Sequence, residues 1–334
     1  MVDPRKIVEK EVSGAIKGSD LSCSYYPCHY QGQDCTFCYC PLYPCLDASL
    51  GEFVESRKGG EVWSCAKCFW VHRPEVASSM HSELRADPGL MAEELKPRLE
   101  KRFRKRARAV MILGATSGAG KSLIAAGLCR LLSDRGCKVA PFKSQNMSLN
   151  SFVTKRGEEI ARIQELQARA ARVEPIAAMN PILLKPKGNA VSQVIVEGRP
   201  LRDMDVAEYY GDFARQEGLP IIRRNFELLA RTSDFVVIEG AGSPAEINLG
   251  DLEIANMPTA EIADADCVLV VNIEWGGAFA YIFGTILLMK EEERKRFKGV
   301  IINNMYGDAE SLATGIERVE EELGVAVLGT MPHL

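Results

Sequence analysis

From Ala109 onward, short apolar runs alternate with longer segments whose apolar residues recur at helical spacing. AVMILG, CKVAPF, DFVVIEG, DCVLVVNI and GVIINN are β-branched and almost wholly apolar, which predicts strands buried on both faces of a parallel sheet. KSLIAAGLCRLLSD, GEEIARIQELQARAAR, MDVAEYYGDFARQ and SLATGIERVEEELG predict the intervening helices. The alternation continues to the end of the chain, so an α/β fold with a mostly parallel, doubly wound sheet is expected over 109–334. Upstream the pattern differs. Residues 1–74 have little periodicity and are rich in Cys, Tyr and Pro, while 75–108 read as a helical connector interrupted at Pro88-Gly89 and Pro97. No internal repeat stands out. The longest charge-free apolar stretch, WGGAFAYIFGTILLM (275–289), is too short for a bilayer and carries three glycines, which predicts a buried helix.

Composition adds exclusions. The formal charge of -4 offers no argument for nucleic acid or a membrane surface. The single basic run, KRFRKRAR (101–108), has no aromatic ladder or second basic stripe beside it and reads as a solvated helix end. The N-terminus (MVDPRKIVEKE) lacks the apolar core of a signal peptide, so a soluble, cytoplasmic protein is expected. Eight of the eleven cysteines (Cys23, Cys28, Cys35, Cys38, Cys40, Cys45, Cys65, Cys68) fall between residues 23 and 68. In a reducing compartment that density points to metal rather than disulfides.

The chemistry centres on VMILGATSGAGKS (110–122). A strand runs into glycines and a helix opens at Lys121, so the backbone of Gly114, Thr116, Ser117, Gly118, Ala119 and Gly120 can form an anion nest for a triphosphate such as ATP. Lys121 supplies a point charge for the β- and γ-phosphates, and Ser122 a hydroxyl for Mg²⁺. The spacing holds one residue more than the ordinary G-x-x-x-x-G-K-[ST] loop. Glu239, at the end of DFVVIEG, is the candidate carboxylate for that Mg²⁺, and glycines follow it. Lys143, at the end of CKVAPF, is placed to meet an anionic substrate or the transferring phosphoryl group.

The longer loop spacing is similar to that of the dethiobiotin synthetase-like amide-forming enzymes. PFKSQNMSLNSFVT (141–154), NPILLKP (180–186), SQVIVEGR (192–199) and EGAGSPAEINLGDLEIANM (239–257) resemble, in order, signatures of the cobyric acid synthase family. The resemblance covers about 109–334. It implies a P-loop domain that uses ATP to activate corrinoid side-chain carboxylates and then amidates them. Lys121, Lys143 and Glu239 would be the catalytic set. Gln145, Asn146, Ser148, Asn150 and Ser151, with Glu246 and Asn248 of PAEINL, would contact substrate; a turn and N-cap cluster is the alternative for the first five. Asn303, at the end of GVIINN, stands where the family's adenine-contacting Asn would be, or is a plain strand-end Asn.

Two segments depart from the family pattern. VVNIEWGGAFA (270–280) has Asn272 and Glu274 for two Asp and Trp275 for an Arg, and NNMYGD (303–308) lacks a second Arg. Losing planar cations points to an altered substrate, another tetrapyrrole for instance. The family's C-terminal glutaminase domain is not found before GTMPHL, so ammonia from solution, from a separate glutaminase subunit or from a further part of a longer protein is expected; a homodimer is left open. The alternative function is a ParA/MinD-like nucleotide switch or metal-delivery ATPase of tetrapyrrole metabolism. Against it, the loop lacks a second lysine at Ala115 or Thr116.

In the N-terminal segment, Cys35-x2-Cys38 and Cys65-x2-Cys68 with His72 have zinc-ligand spacing. Cys23, Cys28, Cys40 and Cys45, with His29 nearby, leave ligands for a second centre. The segment resembles a small cysteine-rich domain of presumed metal-binding function. Zn²⁺ is the expected ion, with an iron–sulfur cluster the alternative, and a structural staple the expected role ahead of partner docking or metal handling.

Overall fold

The computed structural model describes residues 4–30, 32–47, 50–56, 59–65, 68–103 and 107–333. Part of the basic run, residues 104–106, and the first three residues of the chain lie outside the described residues. The chain divides into two compact units, 1–106 and 107–334.

The first unit holds α1 (Pro4–Ser13), a hairpin of β1 (Glu52–Glu55) and β2 (Glu61–Ser64), then α2 (Pro74–Ala86) and α3 (Ala92–Phe103). Its core joins Phe37, Leu42, Leu50 and Trp70 to Val76, Met80 and Leu84 of α2 and Leu95 and Leu99 of α3. The residues expected to form a connector therefore supply much of the apolar packing around the cysteines. Pro97 lies inside α3, where it removes one backbone donor from the helix.

The second unit opens with β3 (Arg108–Gly114), α4 (Lys121–Asp134), β4 (Val139–Phe142), β5 (Gln145–Met147), the hairpin β6 (Ser151–Val153) and β7 (Glu159–Ala161), and α5 (Arg162–Ala170). There follow β8 (Ile182–Gly188), β9 (Val191–Val196), β10 (Arg199–Asp205) and α6 (Val206–Glu208), which runs through a π-helical stretch, Tyr209–Gly218, into α7 (Leu219–Thr232). The remainder is β11 (Phe235–Glu239), α8 (Met257–Ala263), β12 (Asp266–Asn272), α9 (Ala278–Leu288), α10 (Glu291–Arg294), β13 (Phe297–Met305), α11 (Ala313–Leu323) and β14 (Val327–Pro332).

The main sheet has the order β14-β13-β12-β3-β11-β4, and every pair in it is parallel. Strand pleating sends alternate side chains to opposite faces. Met111 and Leu113 of β3, Val236 and Ile238 of β11, and Leu269 and Val271 of β12 join one apolar cluster. Ile112, Val237, Val268 and Val270 join another. Both faces are dry, as the unbroken apolar runs require.

Three expectations change. Within 157–172 only Arg162–Ala170 is helical; Glu159–Ala161 pairs with β6 because Ile160 and Ala161 bury there. A second sheet, β10-β9-β8-β5, was not anticipated. Within the stretch 275–289, Ala278–Leu288 forms α9, but only one side of it is buried. Ala278, Ile282 and Ile286 face the core, while Tyr281, Leu287 and Leu288 are exposed. No described helix is long and apolar enough to cross a membrane.

Candidate active site

Parallel strands bring their C-terminal ends to one edge of a sheet, and there the chain turns repeatedly. After β3 it makes the glycine loop and enters α4. Gly118 (φ 75°) and Gly120 (φ 104°) adopt left-handed backbone that a side chain would strain. Contacts enforce the same choice. A Cβ on Gly120 would strike the Asn303 amide, and one on Gly114 would stand 2.8 Å from Lys121 Nζ. Asn303, at the end of β13, donates from Nδ2 to Ala119 O (3.0 Å) and so braces the back of the loop.

Lys121 curls across this loop and donates to Thr116 O (3.1 Å) and Gly242 O (2.8 Å). It is buried, and burial, assisted by the charge of Lys143 and opposed by Glu239, lowers its pKa to about 8. Gly242 belongs to the loop after β11. Asn256 fastens that loop by accepting from Ala241 N (3.0 Å) and donating to Ala241 O (2.7 Å). Asn256 is itself positioned by Glu253, which accepts from its backbone N–H (2.7 Å). Burial raises the Glu253 carboxyl to about 7 despite those backbone hydrogen bonds.

Glu239 sits at the centre with 1% exposure. Its Oε1 accepts from Ser122 Oγ (2.8 Å) and pairs with Lys143 Nζ (2.6 Å). Its Oε2 accepts from Gln167 Nε2 (2.5 Å), and the same amide lies 3.4 Å from Ser122 O. The structure thus brings Lys121, Ser122, Lys143 and Glu239 together around the loop. One carboxylate and one hydroxyl on adjoining elements suit a hard cation completed by phosphate oxygens and water. Lys143 now neutralises the oxygen such a cation would use.

Gln167 was not singled out from the sequence. Its signal is a buried polar pair: Gln164 and Gln167, both 0% exposed, occupy the inner face of α5 where apolar residues belong. Trp275 was seen only as a lost arginine. Its indole lies on the loop, so close that a Cβ on Gly118 would come within 2.8 Å of it. Nearby in the fold, Tyr306 stacks on His333 at 4.5 Å.

The candidate substrate residues divide. Gln145 and Asn146 are buried on β5, and Gln145 Oε1 accepts from Tyr209 OH (2.7 Å), so its acceptor is already engaged. Ser148 and Asn150 close a local turn, Asn150 N donating to Ser148 Oγ at 3.0 Å, which matches the turn alternative. Ser151 begins β6 and hydrogen-bonds Glu159. Glu246 and Asn248 are exposed on the loop after β11.

In the other unit, none of the eight cysteines is in a disulfide. A cavity of about 180 Å³ is lined by Cys38, Cys40, Cys45, Cys65 and Cys68 together with His29 and His72. His72 stacks on His29 at 4.2 Å, and its Nδ1 lies 3.2 Å from Asp34 O, so the ring is oriented by the backbone. Burial lowers its pKa. Among the described residues no three His, Cys, Asp or Glu side chains are already closed into a metal-holding set.

Comparison with known proteins follows the same division. Residues 15–94 match the family described as "Cysteine-rich small domain", which takes in α2. Residues 110–334 match the "CobQ/CobB/MinD/ParA nucleotide binding domain". The chain is 53% identical over 227 residues to the "Probable cobyric acid synthase" of Methanothermobacter thermautotrophicus, covering 68% of this chain and 45% of that protein. It is 53% identical over 226 residues to the cobyric acid synthase of Streptococcus sanguinis (68% and 45%), and 54% identical over 224 to that of Listeria innocua (67% and 43%). The chain therefore spans less than half the length of these curated relatives. Over residues 110–334 it belongs to the CobQ/CobB/MinD/ParA nucleotide-binding family and is a homologue of the cobyric acid synthases.

Proposed function

We propose that residues 107–333 act as an ATP-dependent synthetase that amidates side-chain carboxylates of a corrinoid, in cobalamin biosynthesis. The observation that carries this is the convergence of Lys121, Lys143, Ser122 and Glu239 behind a loop of the family's spacing. A carboxylate is a poor acyl donor. Attack of its oxygen on the γ-phosphorus of ATP breaks the bond to the β-phosphate and releases ADP; ammonia then attacks the acyl carbon, loses a proton and expels phosphate. The protein's share is alignment and charge neutralisation. Lys121 meets the β- and γ-oxygens, Lys143 meets the transferring group or the carboxylate, and Gln167 holds the Glu239 carboxylate in register. Ser122 and Glu239 would hold Mg²⁺, which supplies charge at the phosphates when bound. Ammonia comes from solution or from a glutaminase. In the other unit the eight clustered cysteines support binding of Zn²⁺, with an iron–sulfur cluster as the chemical alternative for thiolate ligands.

The test is turnover of ATP with ammonia, with and without cobyrinic or hydrogenobyrinic acid diamide. The corrinoid should stimulate ADP formation and exchange hydroxyl for amine, one carboxyl at a time, by mass spectrometry. If it does neither, the amidation reading fails for this chain.

Trp275 offers a binding readout, because it is the sole tryptophan of the nucleotide-binding unit and touches the loop. ATP should change its emission in a fluorescence titration. Trp275→Phe should abolish that change while isothermal titration still detects binding. An unaltered signal in the variant would place the reporter at Trp63 or Trp70 instead.

A further inference from the structure

The cysteine segment contains a repeat. Cys23-Ser-Tyr-Tyr-Pro-Cys28 and Cys40-Pro-Leu-Tyr-Pro-Cys45 share the form C-x-x-Y-P-C, and each precedes a C-x-x-C pair, Cys35/Cys38 and Cys65/Cys68. The intervening loops differ in length because the second contains the β1–β2 hairpin. The two halves also repeat in structure. Tyr26 N donates to Cys23 O at 3.0 Å, and Tyr43 N donates to Cys40 O at 3.0 Å. In both, the tyrosine hydroxyl ties this turn to the backbone just ahead of the C-x-x-C pair. Tyr26 OH accepts from Gly32 N (2.8 Å), and Tyr43 OH donates to Trp63 O (2.9 Å).

The sulfurs group by half. In the first, Gln33 is 1% exposed, and its Nε2 donates to Cys28 Sγ (3.0 Å) while lying 3.6 Å from Cys35 Sγ. A buried amide aimed at two sulfurs, one from each motif of the half, is what supports thiolates that share a metal. Cys38 Sγ lies 3.9 Å from the backbone oxygen of Cys35 in the same half. In the second half, Cys40, Cys45, Cys65 and Cys68 all border one cavity, and Cys38 is the one sulfur of the first half that also reaches its wall.

We infer that the unit holds two separate four-thiolate centres, Cys23/Cys28/Cys35/Cys38 and Cys40/Cys45/Cys65/Cys68, each for one divalent zinc-type ion. This rests on reading the unit as metal-binding, and it differs from pairing the two C-x-x-C motifs across the repeat. It also removes His72 from the ligand set. Four sulfurs complete a tetrahedral shell, and the histidine is held instead by stacking and by Asp34. Closing each set draws the sulfurs together on the ion, so metal binding and local folding are coupled.

Metal analysis of the full chain, purified under reducing conditions and reconstituted with Zn²⁺, tests this. Two equivalents per chain are expected. Cys28→Ser and Cys65→Ser should each retain one, the double variant none, and His72→Ala both. Cadmium-113 NMR of the wild-type chain gives a readout free of folding defects. Two resonances in the all-sulfur range are expected; a nitrogen-shifted resonance would return His72 to the ligands and overturn the assignment. One equivalent in the wild type, or loss of both ions in either single variant, overturns the division by halves. No bound metal at all overturns the underlying metal-binding reading instead.

Discussion

Lys121→Met should lower ATP turnover by about 10²–10³-fold or more, the scale on which preorganised charge at a developing phosphate is felt, while leaving the fold at least as stable. The second half of that expectation separates function from structure. In the folded chain Lys121 titrates at about 8, far below the ordinary value of 10.5, because burial and the neighbouring Lys143 oppose its charge. A lowered folded pKa means that the protonated form is disfavoured by folding. The cost is fully present below about pH 8, shrinks as pH rises toward 10.5 and is gone above it. At neutral pH it is of order 3 kcal/mol, offset in part by the hydrogen bonds to Thr116 O and Gly242 O. Thermal melts at pH 7 should therefore show an unchanged or raised midpoint in the variant.

The same charge predicts a proton linkage. A polyphosphate favours the protonated lysine, so ATP binding should draw a proton from solution as pH rises through 8, and affinity should weaken above it. Calorimetry in buffers of different ionisation enthalpy measures that uptake. Lys121→Arg, which stays charged, should abolish it. Equal uptake in the arginine variant would assign the proton elsewhere.

What was legible in the sequence is what depends on a single period. KSLIAAGLCRLLSD matches α4 end for end because its apolar residues keep helical spacing between a glycine loop and a polar turn. The central strands were visible because burial on both faces leaves no polar interruption. The sheet of β8, β9 and β10 was missed because Lys185, Lys187, Arg199, Arg202 and Asp203 break its apolar runs where the strands reach solvent. Glu239, Lys143 and Lys121 could be picked out one by one from their places at strand and loop ends. Their meeting at one carboxylate depends on the strand order β3-β11-β4, which no local pattern encodes. Gln167 was hidden for the opposite reason. A polar residue on an amphipathic helix reads as solvent-facing until its burial is known. In the cysteine segment the C-x-x-C spacing is the stronger local signal, and the C-x-x-Y-P-C repeat gains its meaning from the contacts of the Tyr26 and Tyr43 hydroxyls.

Glu239→Gln should destabilise the nucleotide-binding unit by about 3–5 kcal/mol, the usual result of removing one member of a buried ion pair. Glu239 is the counterion for Lys143, whose own exposure is 8%, and it also moderates Lys121. An isosteric amide fails in a second way. Oε1 receives Ser122 Oγ–H and Lys143 Nζ–H, and Oε2 receives Gln167 Nε2–H, so either orientation of a glutamine sets its NH₂ against a donor. Removing the other charge should relieve most of the damage. The double variant Glu239→Gln/Lys143→Met should regain much of the stability, because a buried pair replaced as a pair costs little. It should not regain turnover, since both the proposed Mg²⁺ ligand and the proposed partner of the transferring group are gone. Native-state hydrogen exchange at the β3 and β11 amides reads the stability of this unit without interference from the cysteine-rich one. A single variant within about 0.5 kcal/mol of wild type would mean that the Lys143–Glu239 contact carries no net charge compensation, because surface-like substitutions alone fall in that range. Recovery of ATPase in the double variant would remove Glu239 and Lys143 from the catalytic set and leave them as a structural pair.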